Sequence, residues 1–142
     1  GDDVHISTDV LVGFPGETPE AFDNTLRVLE RARIGRTHAF PFSPRKGTPA
    51  ASYPDRVPDG ILSERVHRVR DASDARLAAY ARRFSGRTVR MLVEGGSDAG
   101  VEGLIPEYLR VEATGSAKAG TIANVLVAET RGELLKGRVI PS

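Results

Sequence analysis

The chain has 142 residues, 27% of them charged and 39% hydrophobic, with a net charge of +1 and no cysteine. These totals fit one domain or two small ones, and they exclude a disulfide, a thiolate metal site or a cysteine nucleophile in these residues. No apolar run approaches the roughly 18 residues needed to span a bilayer and no signal-peptide pattern opens the chain, so a cytoplasmic protein without membrane contact is the default expectation.

The charge balance hides an asymmetry. Residues 1–42 carry seven acidic and four basic groups, residues 43–84 nine basic and five acidic, and residues 85–142 seven of each. A basic middle could attract phosphates, but on charge alone a solvated, arginine-rich helix face is the favoured account of it.

Gly1 to Ser7 is polar and reads as a lead-in to the first strand. No methionine opens the chain and Gly1 runs almost straight into that strand, the pattern of a piece of a longer protein. Val10, Leu11 and Val12 form a continuous apolar run, as in a strand buried on both faces. Gly13, Pro15 and Gly16 end it. Thr18 suits an N-cap, Pro19 the first helical position, and Glu17 and Glu20 the positive helix end. Phe22, Leu26 and Leu29 recur at helical spacing, so a helix is predicted over residues 19–34 with Gly35 as its stop. Thr37 to Phe42 reads as a second strand with Pro41 near its end. A strand, glycine turn, helix and strand make a βαβ unit, whose ligand sits at the carboxyl ends of the strands, beside Gly13 to Glu17.

Ser43 to Pro58 is predicted as a loop, long enough to be functional or a plain connector. Asp59 suits the cap of a helix running to about Phe84. Its apolar stripe is Leu62, Val66, Val69, Leu77, Tyr80 and Phe84, with Arg65, Arg68, Arg70, Arg76, Arg82 and Arg83 on the remaining surface. After Gly86 the apolar period changes from about 3.6 to about 2. Strands are predicted over residues 88–94, 101–105, 108–113, 121–129 and 134–140, punctuated by Gly95-Gly96, Pro106, Gly115 with Gly120, and Gly132. Five close-spaced strands without a long helix predict a small antiparallel barrel. The expected organisation is α/β over residues 1–84, then all-β over residues 85–142.

No usual catalytic constellation is complete. His5, His38 and His67 lack metal-ligand spacing. Gly-Phe-Pro-Gly-Glu is neither a Walker loop nor a dinucleotide fingerprint. On residue chemistry alone, a nucleic-acid-binding module without catalysis and an α/β enzyme with a phosphate- or nucleotide-binding turn both remain open.

A more specific signal comes from the motifs together. Thr8-Asp9-Val10-Leu11-Val12-Gly13-Phe14-Pro15-Gly16-Glu17-Thr18, followed by Phe22 and Thr25-Leu26, resembles the fifth strand and following helix of radical S-adenosylmethionine methylthiotransferases. His38-Ala39-Phe40-Pro41-Phe42-Ser43-Pro44-Arg45-Lys46-Gly47-Thr48-Pro49-Ala50-Ala51 is similar to that family's sixth strand and exit loop. The passage from Arg83-Phe84 into Gly86-Arg87-Thr88-Val89 resembles its entry into an RNA-binding TRAM domain, a small OB-like barrel. The resemblance covers essentially the whole chain.

It implies the last strands and helices of a partial TIM-like barrel followed by the TRAM module. His38 to Arg45, and Gly103-Leu104 followed by Tyr108-Leu109-Arg110-Val111, look closest to the branch that modifies threonylcarbamoyladenosine in tRNA. The sister branches act on isopentenyladenosine or on a ribosomal protein. The implied partners are tRNA and S-adenosylmethionine; the sequence leaves the oligomeric state open, with a monomer as the default expectation. Val12, Gly13, Phe14, Phe40, Phe42 and Ser43 would face S-adenosylmethionine, and Arg45 would meet substrate at the mouth. Arg87, Arg90, Tyr108, Arg110, Lys118, Arg131, Lys136 and Arg138 would meet RNA, with phosphates on the basic groups and a base on Tyr108. The family's 4Fe-4S clusters need cysteines that this sequence lacks, so these residues alone are expected to be inactive.

Overall fold

The computed structural model describes residues 6–141. Most of the predicted lead-in, with His5, lies outside them. The described chain divides into two compact units, residues 6–73 and residues 74–141, and the division falls inside the longest helix.

In the first unit, strand β1 (Ser7–Val12) and strand β2 (Arg36–Pro41) pair in parallel, with Leu11 opposite Phe40. Helix α1 (Pro19–Arg31) connects them. Thr18 caps it as predicted: its hydroxyl accepts the Ala21 N–H at 3.1 Å, and Pro19 occupies the first turn. The C-terminus differs from expectation. Gly35 is not the stop. Arg33 takes the left-handed conformation at φ 55°, and its N–H donates to the Glu30 carbonyl while that of Ile34 reaches back to the Leu29 carbonyl. These two bonds make a Schellman ending, and the packing of Ile34 against the core offsets a strain of about 1 kcal/mol at a non-glycine residue.

The core of this unit joins Val12, Phe22, Leu29, Ala39, Val66 and Val69. Burial of β1 on both faces is not observed. Val10, Val12 and Ala39 face the core, while Leu11 and Phe40, 54% and 52% exposed, share the opposite face of the sheet. Helices α1 and α2 (Asp59–Arg82) feed one face only, so the apolar run has one covered side. Between β2 and α2 the predicted loop holds one short 3-10 turn, Pro49–Ser52. Asp59 is the first helical residue rather than the cap: the Leu62 N–H already donates to the Pro58 carbonyl at 2.9 Å. Its carboxylate still favours the positive helix end.

The second unit contains β3 (Thr88–Ser97), β4 (Gly100–Leu104), β5 (Arg110–Thr114), β6 (Ile122–Arg131) and β7 (Leu134–Ile140), closed in the order β3-β4-β5-β7-β6. Four pairs are antiparallel, but β5 and β7 run parallel. The expectation of a wholly antiparallel barrel is corrected here, for a reason of parity. Alternating directions cannot close a ring with an odd number of strands. Inward residues alternate along the strands: Val89, Met91 and Val93 on β3, then Val101, Val111, Val125, Val127 and Leu135, all joined in one core with Ala81 and Phe84.

Two local expectations change. Gly95 and Gly96 lie within β3 next to a register shift, and the hairpin turns at Asp98-Ala99 instead. A Cβ on Gly96 would sit 2.6 Å from the Gly100 carbonyl oxygen, so the glycine permits close strand approach. Tyr108 is not in a strand. It adopts φ 64° in the turn before β5, and its N–H donates to the Ile105 carbonyl at 2.9 Å.

Candidate cofactor rim and nucleic-acid face

The carboxyl ends of β1 and β2 are tied together through one peptide plane. The Val12 carbonyl accepts the Phe42 N–H at 2.7 Å, and the N–H on the other side of that peptide, from Gly13, donates to Glu17 Oε1 at 3.2 Å. The turn closes when the Glu17 N–H donates to the Phe14 carbonyl, and it is tethered to the long loop by the Gly16 N–H on the Asp55 carbonyl at 2.8 Å. Gly13 and Gly16 both have positive φ, at 83° and 90°. Gly13 has a second reason to lack a side chain, since a Cβ there would run into Leu62 of α2.

Arg65 departs from the sequence reading. Expected on the surface, it is 7% exposed and donates from Nη1 to Glu17 Oε1 at 2.7 Å and to the Glu17 carbonyl at 3.1 Å. Its guanidinium lies 5.5 Å from the centre of the Phe22 ring, which Arg68 also approaches at 5.1 Å. The signal was present in the spacing: position 65 falls inside the apolar stripe of Leu62, Val66 and Val69, where a charge needs a partner.

Of the residues expected to face a cofactor, Phe14 and Phe42 meet edge to face at 5.6 Å. Tyr53 joins them, 5.9 Å from Phe14. Sequence reasoning missed Tyr53, whose only signal was an aromatic residue in a proline-rich segment. Phe40 lies on the open sheet face beside Leu11. The Val12 side chain points the other way, into the core. Ser43 and Arg45 are exposed beyond the strand ends, and His38 is exposed opposite Asp9.

The open face and the aromatic corner offer flat apolar surface beside backbone groups held by hydrogen bonds. An iron–sulfur cluster is a different matter. Among the described residues no group of three His, Asp or Glu side chains is placed to hold a metal ion, and the sequence has no cysteine, so these residues do not fit a thiolate-held cluster.

The barrel exterior sorts the basic residues. Register places Ile122, Leu92 and Leu104 side by side across β6, β3 and β4, with Leu92 46% and Ile122 53% exposed. Arg90 lies on the same face of β3, and Arg110 is directly opposite Leu104 on β5. Arg110 is 3.4 Å from Glu94 in an exposed ion pair, which contributes little and can exchange for a phosphate. Tyr108, 69% exposed, precedes this strand. Arg138 lies apart, opposite Leu126 and Thr114. Lys136 is opposite Glu112 and Glu129, and Glu112 is in turn opposite Glu102. A cleft of about 510 Å³ opens against Glu102, Glu112 and Lys136, and its paired carboxylates disfavour a polyanion. Arg87, Lys118 and Arg131 are exposed outside these rows, with the Arg87 guanidinium 5.9 Å from the Phe84 ring centre.

Comparison with known proteins finds similarity along most of the chain. It is 38% identical over 92% of its length to the tRNA-2-methylthio-N(6)-dimethylallyladenosine synthase of Kineococcus radiotolerans, covering 27% of that protein. A relative of the same name from Geobacillus kaustophilus is 33% identical over 97% of the chain, again with 27% of the relative covered. One from Aquifex aeolicus is 42% identical over 65% of the chain and 21% of its own length. The chain therefore spans about a quarter of the length of these curated relatives. No protein-family model matches it. The similarity supports the methylthiotransferase family, while the expected preference for the threonylcarbamoyladenosine branch finds no support in these names.

Proposed function

We propose that this chain is part of a tRNA methylthiotransferase that acts on N(6)-dimethylallyladenosine, with residues 1–84 contributing one wall of an S-adenosylmethionine site and residues 85–142 an RNA-binding, TRAM-like barrel. The observation that carries the reading is continuity. Identity of 33–38% extends over 92–97% of the chain, through the parallel strand pair and the barrel alike. Substrate choice follows the name these relatives share.

The division of chemistry follows from the residues. S-adenosylmethionine, when bound, supplies the group-transfer chemistry. Phe14, Phe40, Phe42 and Leu11 give its adenine a surface to lie on, the Gly13 turn fixes the backbone beside it, and Ser43 and Arg45 stand where the RNA would enter. Arg45 is suited to a phosphate because its guanidinium offers several donors in one plane. On the barrel, the Ile122–Leu92–Leu104 strip accepts unstacked bases while Arg90 and Arg110 flank it and Tyr108 stacks.

Electrostatic grip of this kind has a salt signature. Binding of an anticodon-arm RNA to the chain is expected to weaken steeply with salt, and Arg90→Ala should flatten the log–log slope by about 0.7 to 0.9, the share of one phosphate contact. Fluorescence anisotropy at several salt concentrations measures it. The same slope for Arg90→Ala and Arg110→Ala as for the unaltered chain would remove the β6–β3–β4 face from the interface.

A further inference from the structure

We infer that Arg65, a residue of α2 outside both strand-tip motifs, is a positioning residue that presets the nucleoside-facing rim through Glu17. The inference rests on the reading of that rim as an S-adenosylmethionine wall. Four observations carry it. Arg65 is buried and bonded twice to Glu17 by the same Nη1, once on the carboxylate and once on the backbone carbonyl. The Glu17 carboxylate in turn holds the Gly13 N–H. The peptide that carries this N–H carries the Val12 carbonyl, which holds Phe42. Finally, the rings of Phe42 and Tyr53 both pack on Phe14, the residue after Gly13.

A single chain of bonds thus runs from Arg65 through Glu17 and one peptide plane to both strand tips. A glycine at positive φ lies in the middle of it, and glycine is the residue least able to hold a peptide plane unaided. The planar guanidinium suits the task. It meets the carboxylate at 2.7 Å, and Phe22 supports it as a flat surface. Lysine would supply the charge without that planar support.

The consequence is a rim ordered before ligand arrives. Without Arg65 the Glu17 carboxylate has a hydrated alternative, the Gly13 peptide is free to rotate, and ordering it falls to the ligand. Affinity for the nucleoside then drops while the apolar contacts are retained.

Amide exchange and ligand titration on the full 142-residue chain test this by NMR. Arg65→Gln is expected to speed exchange of the Gly13 amide at least tenfold, with the amides of Ala39 and Val69 unchanged, and Arg65→Lys should restore part of the protection. S-adenosylmethionine titrated against the Phe14 and Phe42 amides should bind Arg65→Gln about tenfold more weakly. Equal acceleration of Gly13, Ala39 and Val69 would show a merely structural role and overturn the proposal, as would an unmoved Gly13 amide. If the variant loosens Gly13 selectively but S-adenosylmethionine shifts neither rim amide in the unaltered chain, the positioning role stands and the nucleoside reading of the rim falls. Glu17→Gln provides a second route, since it keeps the fold's shape and weakens the same link. It should reproduce the Gly13 effect, and failure to do so counts against the relay.

Discussion

Replacing Gly103 with alanine is expected to cost the barrel about 3 kcal/mol, the upper part of the range for inserting a methyl group into a packed interior. The added Cβ would collide with the backbone carbonyl of Leu92 on the neighbouring strand. A flexible side chain could swing aside, but a carbonyl in a strand ladder cannot without breaking its hydrogen bonds. Gly137, which meets the Leu126 carbonyl in the same way, should behave alike. Gly95 is the control: a Cβ there meets nothing within 4 Å and its φ is not positive, so Gly95→Ala should change stability by less than about 0.5 kcal/mol. Urea unfolding followed on barrel amides distinguishes them. Equal stability for Gly103→Ala and the unaltered chain would contradict the strand spacing described here.

Phe22→Ala is expected to cost the first unit about 4 kcal/mol, the loss typical of emptying a buried phenylalanine site. Phe22 is 1% exposed, at the centre of the smaller core, and that core rests on only two strands and two helices. The same substitution takes away the ring that supports Arg65 and Arg68. Amide exchange should therefore accelerate together at Val12, Ala39 and Val69. Protection retained at those three positions would show that the core does not depend on the ring.

Much of the fold was legible because it follows from local chemistry. The Thr18-Pro19 start of α1 is written in a cap and a proline, and the parallel pairing of β1 and β2 follows from a strand–helix–strand order too short for anything else. The five barrel strands are legible from the change of apolar period after Gly86. What escaped depends on partners distant in sequence or on counting directions. Leu11 looked buried because periodicity reports apolar character, not which face a neighbour covers. The Arg33 helix ending was hidden because a tertiary contact at Ile34 overrides the preference for glycine. The parallel β5–β7 pair needed the closed ring, not any one strand. In the candidate site, Gly13, Phe14 and Phe42 were read from the motif. The partners of Arg65 and Tyr53 were not, since only folding brings residues 48 and 39 positions away to the same turn.

The proposed reaction leaves its record in tRNA itself. Removing the gene that encodes this chain and digesting the cell's tRNA to nucleosides should show, by mass spectrometry, the loss of 2-methylthio-N(6)-dimethylallyladenosine and the accumulation of N(6)-dimethylallyladenosine. An unchanged methylthio nucleoside in the deletion strain, or loss confined to the threonylcarbamoyl derivative, would contradict the account.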